Sequence, residues 1–174
     1  MLPIPNPLHP AVVHFPIALA VLAPVVAVAA LVAIRAEWIP ARAWIAVVVF
    51  QAALVGSALL AIETGEDQEE KVEKVVAERH IEAHADAAER FLYVAIGAAL
   101  VSATGLLRGG LGGTGRAVTV AAGLAVLAAG VAVGHAGGEL VYKYGAARAY
   151  TSEAESPLAA APDADAARPR DADE

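Results

Sequence analysis

The sequence predicts an all-α protein, an antiparallel bundle of four transmembrane helices. Three observations predict it. The mean hydropathy is +0.58. Of the 174 residues, 58% are hydrophobic, against about 45–50% in soluble domains. Only 18% are charged, and they crowd into a few stretches. Between those stretches lie four runs long enough to cross a bilayer, which takes about 20 mainly apolar residues.

The first span is expected over residues 11–34. No Lys or Arg precedes it, so it lacks the basic start of a secretory signal and reads as an uncleaved membrane helix. Pro10 suits the first helical position, where a missing N–H costs nothing. That placement makes His9 the cap and sets His14 about one turn inside. Pro16 and Pro24 fall within the span and are expected to kink it. Trp38 and Trp44 read as interfacial anchors before a second span at residues 43–62. Gln51 and Ser57 are its only strongly polar side chains.

Glu63-Thr-Gly-Glu66 is expected to end the second helix. The stretch from Glu66 to Arg90 is the most charged of the chain. Within it Val72, Val76, His80, Ala83, His84, Ala87 and Phe91 recur at three- and four-residue spacing, one face of an amphipathic helix. This helix is expected to run into the third span, residues 87–107. The glycine-rich run from Arg108 to Arg116 reads as a flexible connector. A fourth span follows at residues 117–136, with Gly130-x-x-x-Gly134 as a close-approach motif. Beyond Thr151 the chain is Ala, Asp, Glu and Pro, which predicts a disordered acidic tail. Residues 1–150 thus form one membrane domain and residues 151–174 a tail.

Composition excludes several functions. The net charge is −7, which argues against a nucleic-acid partner. No cysteine is present, so disulfides, thiolate metal sites and a cysteine nucleophile are excluded. The glycine run has neither the Lys-Ser/Thr nor the preceding strand of a phosphate-binding loop.

What remains is histidine. Spans that alternate in direction bring the start of the first, the end of the second, the start of the third and the end of the fourth to one membrane face. His9, His14, Glu63, His80, His84 and His135 all fall there. Ionisable groups within spans are costly and mark functional sites by default. The expectation is one site built by all four helices. For a cofactor its ligands are His14, His84 and His135; for a metal ion, His9, His14, Glu63, His84 and His135. Glu139, one turn after His135, is placed to orient that ring. His80-x-x-x-His84 has helical ligand spacing, although His80 has charged neighbours and reads as solvated. The bland alternatives are a helix cap at His9, an interface marker at Glu63 and hydrogen bonds across helices for the other rings.

Asn6-Pro-Leu-His-Pro-Ala-Val-Val-His-Phe-Pro-Ile17, Glu63-Thr-Gly-Glu66, His84 and Gly134-His-Ala-Gly-Gly-Glu-Leu-Val-Tyr142 resemble, in this order, the bacterial membrane family called domain of unknown function 2231. The resemblance covers about residues 5–146. It implies a four-helix integral membrane protein and supplies no activity. Some relatives are joined to cytochrome-type domains, which implies the setting of an electron-transfer partner. A Tyr-x-His-Gly ending is common in the family where this chain has Tyr144, so no ligand role carries over there.

The functional expectation is a multi-pass protein of the bacterial inner membrane that binds b-type haem or a transition metal ion for electron transfer. Its acidic third helix would then dock a redox partner. The competing expectation is a structural or interaction protein with no cofactor, its histidines held in buried hydrogen bonds. The short loops carry the denser basic residues near the span ends, which favours both termini outside the cytoplasm.

Overall fold

The structure, a computed structural model, describes residues 7–151. The expected acidic tail from residue 152 onward lies outside the described residues. Within them the chain is helices and turns, with no strand.

Two pieces make the first apolar segment, α1 (His9–Val12) and α2 (His14–Arg35). Leu8 is the N-cap, so His9 is the first helical residue and not the cap. Pro10 sits in the first turn as its missing N–H allows. The break falls at Val13. Pro16, just beyond it, has no N–H to give to the Val12 carbonyl. Pro24 lies inside α2 without ending it. At the far end Glu37 adopts φ 59°, and the Trp38 N–H reaches back to the Ala33 carbonyl at 2.9 Å, a left-handed closure of the helix.

A 3-10 turn, Ala41–Trp44, leads into α3 (Ile45–Val72). Glu63-Thr-Gly-Glu66 does not end this helix. Residues 66–71 are Glu, Asp, Gln and Lys, all but Asp strong helix formers, and one glycine does not stop them. The chain turns only at residues 73–77, before α4 (Glu78–Thr104). The expected amphipathic helix is therefore divided. Its part from Glu78 onward continues unbroken into the third span, as the periodicity predicts, whereas residues 66–72 belong to α3.

The glycine run is not a flexible connector. It forms the first two turns of α5 (Gly109–Tyr142). Gly112 lies against the Leu107 carbonyl, and Gly115 against Thr104 and Gly105, so closely that a Cβ on either would overlap them. Glycine is used here for close approach of α5 to the turn before it and, at Gly115, to the end of α4, which overrides its weak helix propensity. The 34 residues of α5 extend for about 50 Å, past the expected end at residue 136. A last turn, α6 (Arg148–Thr151), closes the described chain.

The helices form a closed antiparallel ring in which α2 packs on α3 and α5, and α4 packs on α3 and α5. The interior is built mostly of small residues: Ala20, Leu54, Ala58, Phe91, Ala95, Ala98 and Val126 form its centre. Large apolar side chains point outward instead, among them Phe15, Val25, Leu100, Leu124 and Val131. This inside-out distribution suits a lipid surround, where tight packing of small residues holds helices together. Among the described residues four helices are long and apolar enough to cross a membrane.

Two further clusters close the ends. Trp44 packs with Ala27 and Val47 at one end. At the other, Val76, Ile81, Leu140 and Ala146 pack with Val72 and Tyr144. That second cluster gathers the turn after α3, the start of α4 and the end of α5. Tyr150 donates to Gln68 at 2.9 Å and ties the last turn back to α3.

Candidate functional site

The histidines gather at one end of the ring by antiparallel topology, but they face in different directions. His9 and His84 are half-buried, and they form an edge pair with ring centroids 6.4 Å apart and planes at 82°. His14, Glu63 and His135 are exposed on the outer surface. His80 is half-buried in the end cap, stacked on Tyr144 with centroids 3.6 Å apart and planes at 14°.

Helical phase accounts for this division. The buried residues of α3 are Val47, Gln51, Leu54, Ala58 and Ala61. Continued by one turn, that face reaches Gly65, while Glu63 lies off it. The buried face of α4 runs through Ile81, Phe91, Ala95 and Ala98, and His84 stands on the same stripe. On α5, Thr119, Gly123, Val126 and Leu140 are buried. Their spacing of three and four puts Gly137 inward and His135 outward.

Each inward imidazole occupies a notch left by a glycine. A Cβ at Gly65 would stand 3.2 Å from His9 Cε1 and 3.3 Å from its Nδ1. A Cβ at Gly137 would stand 3.1 Å from His84 Cε1. The layer therefore takes one residue from each side of the ring: His9 from α1, Gly65 from α3, His84 from α4 and Gly137 from α5. Neither glycine was singled out by sequence reasoning. The signal was present, since both lie in the motifs Glu63-Thr-Gly-Glu66 and Gly134-His-Ala-Gly-Gly-Glu139.

The two rings differ in their bonding. His9 Nδ1 lies 2.8 Å from the Ala61 carbonyl and 3.3 Å from Thr64 Oγ1. A carbonyl only accepts, so Nδ1 carries the proton and Nε2 keeps its lone pair. Thr64 Oγ1 itself donates to backbone carbonyls of α3, that of Leu60 at 2.9 Å. The Val133 carbonyl lies near the His84 ring, yet His84 Nδ1 is buried with no hydrogen-bond partner. An unpaired buried nitrogen of this kind costs about 1–3 kcal/mol and asks for a partner.

Glu139 does not orient His135. It accepts from Lys143 at 3.0 Å on the surface, and this bond pushes the Lys143 ammonium above its ordinary value. Among the described residues no three His, Asp or Glu side chains converge as a ready metal cluster. The geometry offers two neighbouring imidazoles in an edge pair, one with its tautomer set by a backbone carbonyl.

Among known proteins, neither a curated sequence nor a solved structure matches the chain. A family model does, over residues 5–149. That span holds all four long helices and both glycine-notched histidines. The chain belongs to the family described as predicted membrane protein (DUF2231).

Proposed function

We propose that this membrane protein binds a transition metal ion at its histidine-bearing end and passes electrons through it, with His9 and His84 as the two imidazole ligands. The observation that carries the reading is the separation of the two rings, an edge pair with planes at 82°. With metal–nitrogen distances of about 2.0–2.1 Å, two imidazoles on opposite sides of one ion have centroids about 6 Å apart; here they are 6.4 Å apart. His9 also has the bonding expected of a ligand, in which the remote N–H is held by a backbone carbonyl. Imidazole suits zinc, copper, iron and nickel, and electron transfer narrows these to copper or iron, because zinc is redox-silent.

A b-type haem fits the layer less well. The notches at Gly65 and Gly137 are filled by the imidazoles themselves. His14 and His135 would have to hold a macrocycle on the outer surface. A basic redox partner suits the same end of the bundle, where Glu66, Asp67, Glu70, Glu73, Glu78 and Glu82 are all exposed.

Elemental analysis of protein purified in mild detergent, with a visible spectrum before and after dithionite, tests the reading. The expected result is about one equivalent of copper or iron per chain or per pair of chains and no Soret band. Less than about a tenth of an equivalent, after growth in metal-replete medium, sinks it. A Soret band with sharp reduced bands would restore haem.

One observation favours a second reading. The His9 bond to the Ala61 carbonyl joins α1 to α3 and would serve a purely structural clamp equally well. That reading predicts a lower Tm in His9→Ala and no bound metal in the parent protein.

We further place the protein in the bacterial inner membrane with its histidine-bearing end, and both termini, outside the cytoplasm. At the opposite end Arg35 closes α2 and Arg42 lies in the short turn before α3, while Arg108 precedes α5 and Arg116 lies in its first turns, all near the span ends where cytoplasmic basic residues concentrate. C-terminal fusions should give active periplasmic alkaline phosphatase and dark green fluorescent protein; the reverse pattern inverts the orientation.

A further inference from the structure

Gln51 stands at the middle of the second apolar segment and is only 1% exposed. Neither its Oε1 nor its Nε2 has a hydrogen-bond partner in the protein. In a membrane interior no bulk water is at hand, so an unmet amide there is costly and calls for an internal partner. From this we propose a second site, distinct from the histidine layer: Gln51 holds an ordered water molecule in the centre of the bundle.

Placement brings other polar groups to neighbouring levels of the bundle. Trp44 Nε1 donates to the Ser102 carbonyl, which fixes the register of α3 against α4. Gln51 is two turns further along α3, and helical side chains lean toward their own N-terminus. Its amide therefore leans back along α3, shortening the rise of about 10 Å between Gln51 and the level of Ser102. Gly123 packs on Pro24, its Cβ position 3.1 Å from the Pro24 backbone, which sets α5 against α2. One turn before Gly123 is Thr119. Ser102 and Thr119 are the only other polar residues buried among the described ones, each 0% exposed. Pro24 has no N–H, so it leaves the Ala20 carbonyl without its usual helical donor. Ala23, Ala27, Ala98 and Gly123 are buried in the bundle as well, among the smallest side chains available.

The bonding that is present selects the occupant. Ser102 Oγ donates to the Ala99 carbonyl at 2.7 Å, and Thr119 Oγ1 to the Gly115 carbonyl at 2.8 Å. Both hydroxyls have committed their only proton and can only accept. Oxygens alone would suit a sodium ion. A cation, though, leaves the Gln51 N–H groups unmet, whereas both ends of the amide need a partner. Water accepts from Nε2 and donates to Oε1 or to the Ala20 carbonyl. It typically makes about three such bonds when buried.

The chain has two glutamines, Gln51 and Gln68, so 15N-glutamine labelling of the full-length protein in deuterated-lipid nanodiscs gives two side-chain NH2 signals. Gln51→Leu assigns the buried one. The expected result is a cross-peak between the Gln51 NH2 protons and a long-lived water. A protected Gln51 signal with no water cross-peak overturns the proposal. Gln51→Leu should also lower Tm by about 2–4 °C, because it orphans the Ala20 carbonyl. A higher Tm in that variant would mean the amide has no partner at all. Parent Tm should be the same in sodium chloride and choline chloride, and a rise specific to sodium would replace water by the cation.

Discussion

Trp44→Ala is expected to lower the stability of the bundle by about 3 kcal/mol, the largest loss at any single position. Trp44 is 0% exposed. Its ring lies against Gly105, where a Cβ would overlap the indole Nε1 and stand 2.8 Å from Cδ1. The Arg116 guanidinium lies 6.0 Å from the ring centroid and donates from Nε to the Gly105 carbonyl at 2.8 Å. The indole is thus wedged where α3, α4 and α5 meet. In lipid the ordinary transfer term largely drops out, because the separated helices remain in an apolar medium. What is lost is contact on both ring faces, plus the cavity left behind. The Ser102 carbonyl keeps a second donor, the Gly105 N–H at 3.0 Å, so it is not orphaned. Trp44→Phe, which keeps most of the ring, should cost only about 1 kcal/mol. Gly105→Ala attacks the same contact from the other side and should cost about 1–3 kcal/mol. Unfolding in detergent mixtures of rising SDS fraction measures all three. A Trp44→Ala loss under about 1 kcal/mol would mean the indole is not wedged.

The fold was legible because its signals are long-range in sequence. Four apolar runs separated by charge specify four spanning helices whatever their detailed packing. The helix ends were less legible. Glu63-Thr-Gly-Glu66 reads as a stop only if glycine is judged by propensity, yet Gly65 is where His9 needs space. The run Gly109 to Gly115 reads as a loop for the same reason. In each case a glycine that looks like punctuation is a contact between helices. The phase of the site was the least legible. In a soluble protein the buried face of a helix is the apolar one, so a histidine can be placed inside or outside by pattern. Here both faces are apolar, and the buried face is distinguished by small size. Ala20, Ala27, Ala58, Ala95 and Ala98 are buried, but alanine is also common on the lipid face. Hydropathy alone could not say that His84 turns inward and His135 outward. Side-chain volume at spacing of three and four carries that information.

That distinction gives the sharpest functional expectation. Alanine at His9 or His84 is expected to weaken metal binding by about a hundredfold or more, beyond the 10–100-fold typical of groups that only orient a ligand. Alanine at His14 or His135, or glutamine at Glu63, is expected to leave affinity within about threefold, since one ligand contact is worth far more than that factor. The reasoning is geometric. His9 and His84 form an edge pair at 6.4 Å, whereas His14, Glu63 and His135 are exposed around the outside of the ring. Gly137→Val should behave like the first group, because its side chain must push the His84 ring from its notch. Metal titration of chelator-stripped protein reads the effect, and circular dichroism confirms that each variant keeps its helices. Gln at position 84 separates ligation from shape: it fills much of the notch but cannot supply an imidazole, so it should restore Tm without restoring metal. If His84→Gln binds metal normally, His84 is a packing residue. If the loss instead follows His14 and His135, the metal lies on the outer face of α2 and α5, where a second copy of the chain would have to complete the site.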